Sequence, residues 1–350
     1  MKKHPFTIMF LILSFLTIDS FSQEFGKATG RVLDKQTGAP LENANVYLVN
    51  TTLGSATNNA GRYTIENVPP GKYFIIVTNV GYGREQSTIQ IQGNKITQLN
   101  FEMKKQAVQL SEVIVINDDD WEENLETFEE KLFGKTMFAE SCEIVNPQNI
   151  KFATDNDDNF VAESDSLIEI HNNALGYKID LLINRFVWNT STDIGSFSFY
   201  PKFEEMQTED ADQKLMWKNN RQKAYVGSLR HFLRTIVKDS LLESEYVLFQ
   251  GTVADFKFND QLPVKLKEMP VERSEDYIRL CLPEPYLVRN NYLKMDRFDL
   301  IRNQNCVIVP QDCLIFNYDG ILLNPEKIQL SGYWANQRIA DALPYDYKVE

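Results

Sequence analysis

"GRVLDKQTGAPLENANVYLVNTTLGSATNNAGRYTIENVPPGKYFIIVTNVGY", residues 30–82, decides the fold. Runs of β-branched and aromatic residues, "ANVYLV" and "KYFIIVTNV", alternate with turn residues in "DKQTGAP", "NNAG", "VPPGK" and "GYG". Short strands at that spacing predict an all-β sandwich. In "KYFIIVTN" the residues Phe74 and Ile76 alternate with Tyr73, Ile75 and Val77, so both faces are apolar and the strand is expected to be central. Thr37-Gly38 and Asn59-Ala60-Gly61 supply tight turns that need positive φ, and Pro69-Pro70-Gly71 sets a turn before the next strand. Turn chemistry accounts for these glycines and prolines without a ligand.

The positions Gly30, Val32, Asp34, Thr37, Gly38, Pro40, Leu41, Ala44 and Val46, then Thr57, Gly61, Tyr63, Val68, Pro69, Gly71, Tyr73, Gly81 and Tyr82, together make the stretch resemble the carboxypeptidase regulatory-like domain. That resemblance spans residues 26–103 and implies a seven-stranded transthyretin-like (prealbumin-like), Ig-like β-sandwich. Metallocarboxypeptidases that contain such a domain hold zinc with two His and a Glu. Here His171 and His231 stand in "HNNA" and "HFLR", neither in His-x-x-Glu spacing, so the resemblance does not extend to a peptidase. "LSEVIV", residues 110–115, is similar to the segment that follows such a sandwich in TonB-dependent outer-membrane transporters. A transporter barrel needs some twenty strands of roughly ten residues each, and the charged stretch after Val115 is too short to supply them. A relative of the module is implied, with an accessory role in outer-membrane transport as one alternative function.

The first residues read as an address. Lys2 and Lys3 precede the apolar run Phe6 to Ile18, and Ser20 and Ser22 stand three and one residues before Gln23, so residues 1–22 are expected to be a cleaved signal peptide. The run is shorter than the roughly 20 residues of a spanning helix. No cysteine precedes Cys142 to carry a lipid, and no later segment is apolar enough to span a bilayer. An exported protein without a transmembrane segment is expected, in the periplasm or on either face of the outer membrane of a Gram-negative bacterium. Net charge over the full chain is −13, yet residues 23–105 carry +3 and residues 106–350 carry −17. Such an acidic region repels phosphate backbones, which argues against nucleic acid as partner. Cys142, Cys281, Cys306 and Cys313 are available for disulfides in an oxidising compartment, in any of three pairings.

Beyond the sandwich domain of residues 23–105, residues 106–120 read as an acidic linker and residues 121–350 as a mixed, mostly antiparallel α+β domain. The whole is mainly β plus α+β. Asp120 is placed to cap a helix whose face is Trp121, Leu125, Phe128 and Leu132, and Gly134 to end it. "FVAES", "SLIEIHN", "YKIDLLINRFVW" and "FSFYPKF" read as strands, with "NNALG" a turn. "YVLFQG", "DYIRLCL", "CVIVP", "CLIFNY" and "IQLSGYW" add more β, and "QRIADALPYDY" reads as a short closing helix. "DNDDN", residues 155–159, spaces its acids like the start of an EF-hand loop, but Phe160 and Ser166 stand where that loop needs Gly and Glu, so a solvated turn is expected. No nucleophile elbow, phosphate-binding glycine loop or dinucleotide fingerprint occurs, and no metal or cofactor is expected.

One segment runs against the acidic balance. "WKNNRQKAYVGSLRHFLR", residues 217–234, holds five basic residues and no acid. Placed on one helix, Lys223, Arg230 and Arg234 fall within an arc of about 40° and form a wet edge. Arg221 then projects between Trp217 and Tyr225, in the arc of Ser228 and Phe232, where a desolvated guanidinium requires an anionic partner. An internal carboxylate satisfies it in one reading. In the other, Trp217, Arg221, Tyr225, Ser228 and His231 form a ligand site for an anion. The leading expectation for function is a non-catalytic envelope protein in which the sandwich is an interaction scaffold and the second domain binds an envelope protein, peptide or carbohydrate. A hydrolase or transferase with its site near Arg221, Tyr225 and His231 is the alternative from another class.

Overall fold

The computed structural model describes residues 24–105, 120–164, 166–241, 244–252, 257–258, 263–264, 269–291 and 305–349. The signal-peptide segment, "LSEVIV" and nearly all of the acidic linker lie outside the described residues.

The first unit is a pair of facing sheets. In one, β1 (Gly26–Asp34) pairs antiparallel with β4 (Arg62–Val68) on one edge and parallel with β7 (Ile96–Gln98) and β8 (Phe101–Met103) in succession on the other. In the other, β2 (Asn45–Leu48), β3 (Gly54–Ala56), β5 (Gly71–Thr78) and β6 (Glu85–Ile91) take the order β3-β2-β5-β6. Since β7 and β8 follow one another along β1, eight segments fill the seven strand positions expected. The pleat turns alternate residues of β1 inward, Ala28 and Val32 among them, onto Val46, Leu48, Ile75 and Val77 of the facing sheet. Burying each large aliphatic side chain there contributes about 1.5–3 kcal/mol.

Several residues that carry the family resemblance turn out to hold the turns. Asp34 accepts the Gln36 and Thr37 N–H groups at 2.8 and 2.9 Å and the Tyr82 hydroxyl at 2.8 Å. The Thr37 N–H, then the Tyr82 hydroxyl, hold its carboxyl at about 2. Thr57 Oγ1 donates to Leu41 O and accepts from Ala44 N–H. A side chain at Gly30 would meet Leu99 O at 1.7 Å, so only glycine lets the chain pass there. β5 is central, as its sequence implies, and its outer face is covered in part: Ile76 is buried against Tyr47, Val49 and Leu182, whereas Phe74 is 57% exposed.

The chain resumes in α1 (Trp121–Phe133). Asp120 occupies its N-cap without a side-chain hydrogen bond, contrary to expectation; Glu122 and Glu123 in the first turn face the positive end of the helix dipole instead. Gly134, at φ 84°, ends it. The next sheet contains β9 (Cys142–Ile144), β10 (Ile150–Thr154), β11 (Phe160–Ser164), β12 (Ile168–Asn172), β13 (Tyr177–Asn189) and β14 (Ile194–Glu205). Its axis is β13, paired along one edge with β14 and along the other with β12 and then β11. Phe128 of α1 packs on Phe152 and Phe186 of this sheet, ring centroids 5.8 and 4.9 Å apart. The "DNDDN" stretch is the β10–β11 turn, with Asp155 Oδ1 accepting the N–H groups of Asp157 and Asn159.

After α2 (Ala211–Tyr225) and α3 (Leu229–Val237) come β15 (Tyr246–Thr252), β16 (Lys257–Phe258), β17 (Val271–Arg273), β18 (Ile278–Leu280), β19 (Tyr286–Asn290), β20 (Asn305–Pro310), β21 (Leu314–Phe316) and β22 (Ile328–Gly332). These form two sheets, β16-β15-β19-β20-β22 and β17-β18-β21, around a second apolar cluster that includes Phe232, Tyr246 and Trp334. "QRIADALPYDY" is not the closing helix expected. Only a 3-10 turn, Ile339–Asp341, forms, preceded by the four-residue α4 (Tyr333–Asn336). The segment is too short to repay helix nucleation, and Asp341 is committed to the Thr136 hydroxyl at 2.6 Å. One disulfide joins Cys281 to Cys313, while Cys142 and Cys306 are free thiols. Cys306 is buried within β20, whose extended run carries the chain away before Cys313.

The sandwich docks on the β13–β14 hairpin. Asn50 N–H donates to Pro201 O at 2.7 Å, Phe203 N–H donates to Thr51 O at 2.9 Å, and Tyr47, Ile76 and Leu182 bury apolar surface between them. The C-terminal segment straps the two together. Tyr345 N–H donates to Asn50 O at 2.6 Å, and Asp346 accepts from both the N–H and the hydroxyl of Thr52.

Candidate functional site

The basic segment is two helices, not one. Asp210 caps α2 by accepting the N–H groups of Asp212 and Gln213. α2 stops at Tyr225; Gly227 takes φ 86°, and Ser228 starts α3 by accepting His231 N–H on its hydroxyl at 3.1 Å. Gly227 is held on both sides, its carbonyl accepting from Asn290 Nδ2 at 2.7 Å and Trp334 Nε1 at 2.8 Å. The shared arc of Lys223, Arg230 and Arg234 therefore does not exist. Lys223 is exposed on α2, and the two arginines belong to α3.

This break separates the residues expected to act together. Trp217 and Arg221 belong to a staple over the β12–β13 turn. Trp217 Nε1 donates to Asn173 O at 2.9 Å, Asn220 Nδ2 to Ala174 O at 2.9 Å, and Arg221 to Leu175 O at 2.7 Å and Gly176 O at 3.1 Å. The aromatic face beneath Arg221 is that of Tyr177, 4.1 Å from the guanidinium, and not those of Trp217 and Tyr225. Glu205 completes the set at 3.2 Å, with the Arg221 side chain only 13% exposed. Arg221 thus meets two carbonyls, a carboxylate and an aromatic ring of its own chain, each guanidinium nitrogen having one such polar contact.

Tyr225, Ser228 and His231 come together elsewhere, around Arg230. The Tyr225 and His231 rings lie 5.2 Å apart, and Arg230 sits 5.9 Å over Tyr225. Ser228 serves as the cap. His231 Nδ1 lies 3.2 Å from Gly227 N and 3.1 Å from the Tyr246 hydroxyl. Burial first, then the charges of Lys238 and Arg234, push the imidazole down to about 4, so it is neutral at physiological pH. Tyr225, Arg230 and His231, but not Ser228, border a cavity of about 470 Å3 whose wall also includes Arg234, Lys238, Tyr347 and Lys348. The spacing of Arg230, Arg234 and Lys238 along α3 is a signal present in the sequence. Tyr347 and Lys348, more than a hundred residues away, carry none.

Among the described residues no group of three His, Cys, Asp or Glu side chains is arranged to hold a metal ion, and no helix is long and apolar enough to cross a membrane. Residues 28–115 match the family model of the CarboxypepD_reg-like domain. The sandwich is a carboxypeptidase regulatory-like domain. The regulatory-like domain spans about a quarter of the chain and leaves the remainder unassigned. No curated protein matches the chain. Among solved structures, the minor pilin GBS52 of Streptococcus agalactiae is similar at 18% identity over 25% of this chain and 48% of that one, with a TM-score of 0.21. The major pilin subunit BcpA of Bacillus cereus is similar at 15% identity over 24% of this chain and 31% of that one, also with a TM-score of 0.21. For the 5-hydroxyisourate hydrolase of Klebsiella pneumoniae the values are 21%, 23% and 92%, with a TM-score of 0.20. The chain covers less than half the length of either pilin.

Proposed function

We propose that the chain is an exported, non-catalytic envelope protein in which the regulatory-like domain is a fixed scaffold and the larger region binds a partner or ligand. The observation that carries this reading is the docking of the sandwich. Backbone pairing at Asn50 and Thr51, the buried side chains Tyr47 and Ile76, and the Asp346 strap hold it in one pose against the β13–β14 hairpin. A module held that way presents its remaining surface in a defined orientation, which is what a scaffold requires. The Cys281–Cys313 disulfide supports export, since such bonds persist in oxidising compartments. The engaged donors of Arg221 count against the hydrolase or transferase alternative at that residue.

Cell fractionation of a Gram-negative host expressing the full chain, followed by mass spectrometry, tests the proposal. The expected product is periplasmic or envelope-associated, starts after Ser22 and carries the Cys281–Cys313 bond. A cytoplasmic, uncleaved and reduced product refutes export. Turnover of a peptide or glycoside that His231→Gln abolishes refutes the non-catalytic part.

A further inference from the structure

Four cations from two distant parts of an acidic chain converge on one cavity. Arg230 and Arg234 reach it from α3, Lys238 from that helix's C-cap and Lys348 from the C-terminal segment, and no Asp or Glu is among the described residues that line it. We infer that this cavity is a binding site for a small organic anion bearing a phosphate or carboxylate group. The inference deepens the reading of the larger region as the one that binds a ligand, and it is independent of the scaffold role of the sandwich and of export.

The cations divide by role. Arg230 builds the wall: its guanidinium donates to the carbonyls of Asp319, Pro344, Tyr345 and Tyr347 at 3.3, 3.0, 2.8 and 3.3 Å. Arg234 donates from Nη1 to Asp319 Oδ1 at 2.9 Å, while its buried Nε has no hydrogen-bond partner among the described residues. Lys348 lies 3.7 Å from the same Asp319 oxygen, so one carboxylate is shared between two cations. Lys238 is exposed, and the carboxylate next to it in sequence, Asp239, is paired with Arg273 at 2.6 Å. Among the described residues that line the cavity, positive charge therefore exceeds negative charge, and an anion entering it gains charge-assisted hydrogen bonds.

Size and lining point to an organic anion rather than a bare ion. A volume of about 470 Å3 falls in the range of small-molecule sites. The Tyr225 and Tyr347 rings, 6.2 Å apart, give one flank an aromatic surface for the ligand's carbon skeleton. Of all groups in the wall, His231 is the natural reporter, because Lys238 and Arg234 act on its protonation.

The test uses the full mature chain with phenyl phosphate, phthalate and, as a neutral control, phenyl glucoside. Calorimetry is expected to show saturable binding of at least one anion, weaker at high salt, with no binding of the glucoside. Binding is expected to raise the His231 pKa, followed by NMR. Phenyl phosphate alone assigns the site to phosphate esters, and phthalate alone to carboxylates. The double variant Lys238→Gln/Lys348→Gln removes two exposed charges, keeps the Arg230 wall, and is expected to raise Kd by about tenfold or more, since tenfold corresponds to about 1.4 kcal/mol. Absence of saturable anion binding, binding equal to that of the glucoside, or a Kd unchanged in the folded double variant overturns the inference.

Discussion

Between the ordinary imidazole value of 6.5 and the value of about 4 that burial, Lys238 and Arg234 impose on His231, folded and unfolded chains differ by a proton. The unfolded chain takes it up and the folded chain refuses it, so the contribution of His231 to stability is present above pH 6.5 and is lost as the pH falls toward 4. Because the ring is partly open to solvent, the loss is discounted to about 1 kcal/mol. Urea unfolding at pH 7 and pH 4.5 is expected to show that much less loss for His231→Gln than for the parent chain. Arg221 is the contrasting case. That a guanidinium at this position has a carboxylate partner, Glu205, agrees with the sequence, but the aromatic face it sits on is Tyr177 rather than Trp217 or Tyr225, and its carbonyl partners Leu175 and Gly176 are brought under α2 only by the β12–β13 turn.

Local patterns describe the elements well where each has its own period. The 13 residues of β13 alternate in burial over their first half, and α1 places Phe128 and Leu132 on one buried face. The α2–α3 segment defeats a local reading because its composition suits a continuous helix, and only Gly227 marks the break. At φ 86° that residue is in the left-handed region, and its carbonyl is pinned by Asn290 and Trp334. Gly227→Ala keeps these bonds only by placing a Cβ in a disfavoured conformation, at an expected loss of about 1–2 kcal/mol. Thermal melts are expected to register the loss, while circular dichroism retains the helical signal of α2 and α3. A gain in stability with a longer helix indicates that the break is not built into the native state.

Across the whole molecule, the C-terminal segment has two tasks. It fastens the regulatory-like domain through Tyr345 and Asp346, and it supplies Tyr347 and Lys348 to the cationic cavity. Asp346→Ala removes both bonds to Thr52 and is expected to cost about 1–3 kcal/mol. Hydrogen exchange is expected to rise at Asn50 and at Phe203, the amides that join the sandwich to the hairpin, and not in the interior of β1 or β5. Uniform exchange across both regions indicates that Asp346 does not fasten them.

The sandwich, its turns and the alternating strands of the next sheet can be read from the chain alone, because period-two burial and glycine-rich turns act between neighbours along it. Which cysteines bond, what Arg221 touches, and that Arg230, Arg234, Lys238 and Lys348 surround one cavity follow only from packing. Those outcomes bring together residues from some thirty to a little over a hundred positions apart, Cys281 with Cys313 and Arg230 with Lys348. The i, i+4, i+8 spacing of Arg230, Arg234 and Lys238 can be read along the chain, but the arrival of Lys348, Asp319 and Glu205 at their partners is set by how sheets and helices pack.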